Sequence, residues 1–245
     1  MLTKYQQTEN GHTTVLFAEP DRADAQNTMQ HLASALDALT TYFDIDNPFP
    51  RVRAILAPNR DLFDTLVADL LGVAIERPSD SRRVAQAQKT DIVLLAPHGY
   101  TTESAYAYVA DDYARMITHE LVHVVQEHLC PDIENSPLWW DEGLAVYLSA
   151  QWQYDSQFRF REPVVEGIRQ RQVPALADVE REPSFAYTYG WTLVRFIETR
   201  CGRREIARAV RETEDGDVLA TLDEDRMHLG PTWSAWLLTG EALQT

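Results

Sequence analysis

Two histidines and a glutamate, placed within five consecutive positions, are the residues of this chain best suited to metal chemistry. They are His119, Glu120 and His123, in the pattern His-Glu-x-x-His. Because residues four apart on a helix return to nearly the same side, both imidazoles can be directed at one point. Imidazole nitrogens are frequent zinc ligands, and a glutamate beside them can take a proton from a water molecule. The pattern therefore predicts a zinc site on a helix.

The sequence around the pattern predicts the helix that these residues require. Residues 110–129 contain neither glycine nor proline, and Pro131 is expected to end the helix. Glu127 shares the histidine side of this helix, where it could bond a ligand imidazole or simply face solvent. His128 falls on the opposite side and is predicted to be a core histidine. An apolar stripe is expected on that opposite side: Ile117, Leu121, Val124, Val125 and Leu129.

A carboxylate that could complete the site follows in the next predicted helix. A catalytic zinc usually has three protein ligands and one position left for water or substrate. Glu142 lies 19 positions after His123, which leaves room for a loop over residues 130–137 and a second helix. Trp139 and Trp140 precede it and are expected to pack so that they fix this segment, with lining of a substrate cleft as the alternative.

The two motifs together resemble those of the gluzincin clan of zinc metallopeptidases. Eighteen residues separate His123 of His119-Glu120-x-x-His123 from Glu142, which lies in the sequence Asp141-Glu142-Gly-Leu-Ala. Within the clan this is similar to the aminopeptidase-N-like branch, whose motif usually reads Asn-Glu-Gly-Phe-Ala, and both changes keep size and character. The resemblance implies one Zn²⁺ ion with His119, His123 and Glu142 as ligands and Glu120 as general base. Asp141 either forms a hydrogen bond to a ligand side chain or faces solvent.

A tyrosine further along the chain matches another feature of the same branch. Family members carry a catalytic tyrosine three positions before a glycine that opens an apolar helix. Tyr187 occupies that place before Gly190. Its phenol could donate a hydrogen bond to the oxyanion that forms when water attacks a peptide carbonyl. Tyr189 is the alternative donor, and a third interpretation gives both tyrosines a packing role.

The order of the predicted elements indicates an α+β fold with strands first and helices last. Strands are predicted at residues 12–18, 52–56 and 91–96, with helices at 21–43 and 59–71 between them. The residues expected to face inward from these two helices are Met29, Leu32, Leu36, Leu39 and Phe43 from the first and Leu62, Phe63, Leu66 and Leu70 from the second.

Other segments are predicted with less regular patterns. Residues 73–89 could hold a strand near Val73 and then a polar loop. A turn is predicted at residues 46–50. The segments after Glu142 are predicted to be a helix to about residue 154, a short helix at 164–171, a linker at 174–183 and helices at 205–211 and 233–238, with an acidic loop at 212–216.

We expect one domain over residues 1–245 that is divided into two lobes. Residues 1–130 would form a small mixed-sheet lobe with the motif helix, and residues 131–245 a mainly helical lobe with the third ligand. The resemblance implies a thermolysin-like zincin architecture. In that architecture an edge strand next to the zinc helix receives the substrate, and residues 91–96 or the loop at 97–102 are our candidates for it.

Composition limits the partners of the protein. The formal net charge of −16 argues against nucleic acid and anionic membranes, since both attract positive charge. No run of 18 apolar residues exists, and the polar N-terminus lacks a signal pattern, so we expect a cytoplasmic protein unless a leader has been removed. The acidity indicates either salt adaptation or, as we favour, an ordinary acidic protein. Cys130 and Cys201 are expected to be free thiols.

These features predict a zinc-dependent peptidase that acts on a peptide or protein substrate. The Gly-x-Met-Glu-Asn motif that captures a free amine in the aminopeptidase-N family is absent before His119. An endopeptidase is therefore favoured over an aminopeptidase. The alternative is a catalytically silent protein of zincin fold with a binding or regulatory role. The sequence does not indicate an oligomeric state.

Overall fold

A computed structural model describes residues 4–46, 49–130, 135–213 and 216–244. The chain forms two compact units, Met1–Val124 and Val125–Thr245. The strands belong to the first unit and most helices follow them, which confirms the α+β class. Parts of four predicted features lie outside the described residues: Pro131 as a helix stop, residues 131–134 of the predicted loop at 130–137, Asn47 and Pro48 of the predicted turn, and Glu214 and Asp215 of the predicted acidic loop.

The first unit contains a mixed five-stranded sheet in the order β1-β2-β3-β5-β4. Strands β2, β3 and β5 run parallel, and each outer strand pairs antiparallel with its neighbour. Val15 pairs with Ala54, and Ala54 pairs with Ile92, so three buried side chains line up across the parallel strands. The strands are β1 (Gln6–Asn10), β2 (Thr13–Phe17), β3 (Val52–Ala57), β4 (Ala85–Gln88) and β5 (Asp91–Leu95).

The three predicted strands are confirmed as β2, β3 and β5, but both outer strands were missed. Strands β1 and β4 read Gln-Gln-Thr-Glu-Asn and Ala-Gln-Ala-Gln, and neither sequence has the apolar content by which a strand is recognised. The strand proposed near Val73 is wrong, because that segment is irregular and the pairing strand begins at Ala85.

The candidate substrate strand is also wrong. Strand β5 lies between β3 and β4, so its backbone groups are already paired on both sides and cannot accept an added strand. The predicted loop at residues 97–102 instead lies in a short helix, Pro97–Glu103. Proline is tolerated in the first turn of a helix, so Pro97 begins this element instead of ending the preceding one.

The helices of the first unit largely follow the apolar pattern. The whole predicted inner face of α1 is buried. In α2, Phe63 and Leu66 are buried, but Leu70 is 38% exposed because the helix ends at Asp69 and Leu70 is only its C-cap. The helices are α1 (Arg22–Tyr42), α2 (Arg60–Asp69), α3 (Pro97–Glu103) and α4 (Ala110–Leu129), and α4 crosses the boundary between the units.

Helix α4 begins and ends where the sequence predicted and is anchored to the sheet near its start. The Tyr113 hydroxyl donates a hydrogen bond of 3.0 Å to the Leu95 carbonyl at the end of β5. The Tyr113 ring meets Tyr100 of α3 edge to face. Burial raises the pKa of Tyr113 well above its ordinary value, so the phenol keeps the proton that it donates. Ile117, Leu121, Val124 and Val125 are buried as predicted, and Leu129 is half-buried.

All the regular elements in the described part of the second unit are helices, and several predicted boundaries are wrong. The last predicted helix, at 233–238, begins earlier, at Arg226. The helix after Glu142 stops at Leu148, and Ala150 has a left-handed backbone before α6 begins. The predicted linker contains α8, whose first turn is capped by the Asp178 side chain. The elements are α5 (Leu138–Leu148), α6 (Gln151–Tyr154), α7 (Glu162–Gln170), α8 (Leu176–Arg181), α9 (Pro183–Cys201), α10 (Arg203–Glu212), α11 (Val218–Thr221) and α12 (Arg226–Thr239).

Helix α9 is the centre of this unit, since α5, α8, α10 and α12 all pack against it. Residues 189–194 are buried without interruption, so this helix has no solvent side over nearly two turns. The Trp191 indole N–H donates to the Phe160 carbonyl, and the Trp233 indole N–H donates to the Thr192 hydroxyl. These bonds fix both the position and the rotation of α9.

Two expectations from composition can be compared with the described residues. Cys130 and Cys201 are free thiols, as expected. Among the helices in the described ranges, none combines the length and the apolar character needed to cross a bilayer.

We predict that Leu121→Ala lowers the free energy of unfolding by about 2–5 kcal/mol, because it empties a fully buried position on the apolar side of α4. Leu70→Ala, at a partly exposed position of the same unit, should cost about 1 kcal/mol or less. Chemical denaturation of both variants measures the difference. Equal losses would contradict the burial assigned to α4.

Candidate metal site

Helix α4 brings the two predicted imidazoles together. The Nε2 atoms of His119 and His123 lie 3.2 Å apart, and the ring planes are inclined by 78°. Two nitrogens that each stand about 2.05 Å from a tetrahedral zinc ion are about 3.3 Å apart. The spacing therefore fits a shared cation. Both side chains are half-buried, so their nitrogens remain accessible to an ion.

The carboxylate of Glu142 on α5 joins this pair. One potential ligand atom from each of His119, His123 and Glu142 lies within 4.8 Å of the other two. Over the described ranges this is the one group of three His, Cys, Asp or Glu side chains with metal-ligand spacing. Two imidazoles and one carboxylate form a three-ligand set of the kind that catalytic zinc sites use. The donor chemistry and the spacing both fit the predicted ion.

Glu120 lies next to the first histidine and is only 9% exposed. On an α-helix its side chain projects about 100° around the axis from that of His119. Water screens the charge of a largely buried carboxylate weakly, so its interaction with a nearby proton donor is strong. Glu120 is therefore a candidate general base.

The segment that presents Glu142 is held by two fully buried tryptophans. Trp139 and Trp140 are each 0% exposed and meet edge to face, with their ring centroids 5.7 Å apart. Their burial confirms the expected packing role and excludes the alternative that either lines an open cleft. They lie in the first turn of α5, one turn or less from Glu142.

The two candidate tyrosines of α9 occupy different environments. Tyr187 is 45% exposed, whereas Tyr189 is 5% exposed. The Tyr189 hydroxyl lies 3.5 Å from the Pro163 carbonyl, and a Cβ added to Gly167 would stand 2.4 Å from the same hydroxyl. Burial raises the pKa of Tyr189. Tyr189 therefore packs α9 against α7, while Tyr187 presents a phenol that a substrate could reach.

The structure places the remaining predicted residues around α4 and α5 with one correction. Glu127 and Asp141 are half-buried. His128 was expected in the core but is exposed, because it lies in the last turn of α4, where the helix ends. A histidine in the last turn can interact favourably with the negative end of the helix dipole.

Two glycines beside the candidate site residues pack closely, and neither of them was assigned a packing role from the sequence. Gly143 follows Glu142 directly, and Gly190 lies three positions after Tyr187. The backbones of α5 and α9 touch at these two residues. The available signal was a glycine inside a predicted helix, which is costly unless close packing requires it.

No protein-family model matches this chain, and no curated protein matches it either.

We predict that the purified protein binds one zinc ion per chain and that His123→Ala abolishes tight binding, because two ligands hold zinc far more weakly than three. His128→Ala removes an exposed histidine from the same helix and should leave affinity unchanged. Competition with a chromophoric chelator measures both variants. Equal loss of affinity in the two variants would contradict the assignment of His123 as a ligand.

Proposed function

We propose that this chain is a zinc-dependent peptidase of the gluzincin kind, with the thermolysin-like zincin architecture that its motifs imply. The observation that carries the proposal is the convergence of Glu142 on the imidazole pair of a His-Glu-x-x-His helix. A zinc ion held by His119, His123 and Glu142 would polarise the scissile carbonyl and lower the pKa of a water molecule to about 7.

In this proposal Glu120 transfers the proton. Its carboxylate accepts a proton as water attacks the carbonyl carbon and then passes the proton to the leaving amine. Both transfers are needed, since a peptide amine leaves only after protonation. Because Glu120 is only 9% exposed, bulk water screens the charge of its carboxylate weakly.

Tyr187 stabilises the negative charge that develops on the carbonyl oxygen of the substrate. The attack converts the carbonyl oxygen into an oxyanion, and a phenol O–H donates a hydrogen bond to that oxygen most strongly in the transition state. Tyr187 is exposed enough for a substrate to reach, whereas Tyr189 is enclosed by α7 and α12. We therefore assign the donor role to Tyr187.

The substrate class we favour is a peptide or protein cleaved at an internal bond. No Met-Glu-Asn sequence that could bind a free amine precedes His119, so nothing in the motif set selects for a chain end. The net charge of −16 also disfavours nucleic acid as a ligand.

We predict that Glu120→Gln keeps zinc bound but lowers kcat by at least 10²-fold, because the amide cannot accept the proton of water. Glu76→Gln makes the same chemical change at an exposed glutamate of an irregular segment and should retain most of the activity. Digestion of a peptide library with and without chelator supplies the assay. Zinc-loaded wild-type protein without chelator-sensitive cleavage would instead favour a binding or regulatory role.

We predict that Tyr187→Phe lowers kcat about 10²-fold with little change in KM, since the hydrogen bond acts mainly in the transition state. Tyr189→Phe should lower stability slightly and leave kcat near the wild-type value, because that hydroxyl contacts the backbone of α7. Steady-state kinetics on one cleaved peptide compares the two. The reverse ranking of kcat would move the donor role to Tyr189.

A further inference from the structure

The helices α5 and α9 touch through backbone atoms at a pair of glycines. A Cβ added to Gly143 would stand 2.6 Å from the carbonyl carbon of Gly190 and 2.7 Å from its oxygen. A Cβ added to Gly190 would stand 2.5 Å from the carbonyl oxygen of Trp139 and 3.2 Å from the Cα of Gly143. Every atom in these contacts belongs to the backbone, so no side chain can rotate away to relieve a collision.

The touching segment of α5 is the turn that presents the third candidate ligand. Trp139 and Gly143 are four residues apart, which is one helical turn, and Glu142 lies within that turn. A displacement of this turn therefore displaces the Glu142 carboxylate with it.

Helix α9 cannot move away to absorb such a displacement. Its residues 189–194 are buried on all sides. The Thr192 hydroxyl donates to the Tyr189 carbonyl at 2.7 Å and accepts from the Trp233 indole N–H at 3.1 Å. Trp191 stacks on Trp152 with their ring centroids 4.9 Å apart. Because α9 is held in place, its backbone limits how closely the α5 turn can approach it.

Resting on the zinc site proposed above, we infer that Gly143 and Gly190 are positioning residues of that site. Their contact fixes the turn that carries Glu142 before any metal binds. It also sets the position of Tyr187 along α9, because Tyr187 precedes Gly190 by three residues, or about 4.5 Å along the helix axis. One helix crossing therefore orients a metal ligand and the proposed oxyanion donor together.

The size of the expected effect follows from the contact distances. A Cβ on Gly190 would stand 2.5 Å from the Trp139 carbonyl oxygen. This distance would have to increase to at least 3.0 Å, since shorter contacts are essentially never seen. Metal sites hold their ligand distances to within about 0.2 Å. A shift of the turn by more than that should weaken zinc binding on the order of 10–100-fold, as loss of a supporting contact does.

The test is a zinc competition titration, carried out well below the unfolding temperature, on the wild-type chain, Gly190→Ala and Gly143→Ala. Two controls belong in the same series. Gly230→Ala makes the same chemical change in α12, where a Cβ would approach only side-chain atoms of Leu176. Val218→Ala destabilises the unit from buried α11, which packs against α10.

We expect Gly143→Ala and Gly190→Ala to raise the zinc Kd about 10–100-fold and both controls to leave the Kd unchanged. A wild-type Kd in Gly190→Ala, with only a lowered unfolding temperature, would overturn this inference and leave the proposed function intact. A wild-type chain that binds no zinc would remove the proposed function and the inference with it.

If neither alanine variant folds, amide hydrogen exchange of the metal-free wild-type chain decides the question. We expect slow exchange at residues 141–145 and 190–194 alike, because the crossing forms without the ion. Rapid exchange at residues 141–145 that becomes slow only when zinc is added would show that the metal orders the turn, and would overturn the inference.

Discussion

The interaction on which the account depends is the approach of two imidazole nitrogens to 3.2 Å on consecutive turns of α4. Two neutral imidazoles cannot point lone pairs at each other at that distance without repulsion. Either one ring donates an N–H hydrogen bond to the other, or both lone pairs point at a cation. The carboxylate of Glu142 within 4.8 Å of both nitrogens supplies the negative charge that a divalent cation would balance.

Each helix that carries a proposed ligand is held by contacts that take no part in the proposed chemistry. Helix α4 is fixed by the Tyr113 hydroxyl on the end of β5 and by an apolar side that is buried from Ile117 to Val125. Helix α5 is fixed by two tryptophans and by its backbone contact with α9. Rigid elements of this kind keep a site within the tolerance that metal binding and transition-state stabilisation require.

Much of the site could be predicted because its signals are local in sequence. The bounds of α4 follow from the absence of glycine and proline, and the spacing from His123 to Glu142 suffices for a helix, a turn and a second helix. Two of the errors in predicted burial have a common physical origin. Leu70 and His128 lie at helix ends, where an apolar or periodic pattern no longer determines which side chains are covered.

The remaining features depend on contacts between segments that are distant along the chain. The outer strands β1 and β4 are polar, and only their pairing with β2 and β5 makes them strands. No periodic pattern in the sequence indicates the contact of Gly143 with Gly190, since these residues lie 47 positions apart in different helices.

The measurement that tests the central claim most directly is the zinc X-ray absorption spectrum of the purified, metal-loaded chain. We predict one zinc ion per chain, with nitrogen and oxygen scatterers at about 2.0–2.1 Å from the zinc and the outer-shell pattern of two imidazoles. A spectrum with sulfur scatterers or a single imidazole, or a chain that holds no zinc, would contradict it.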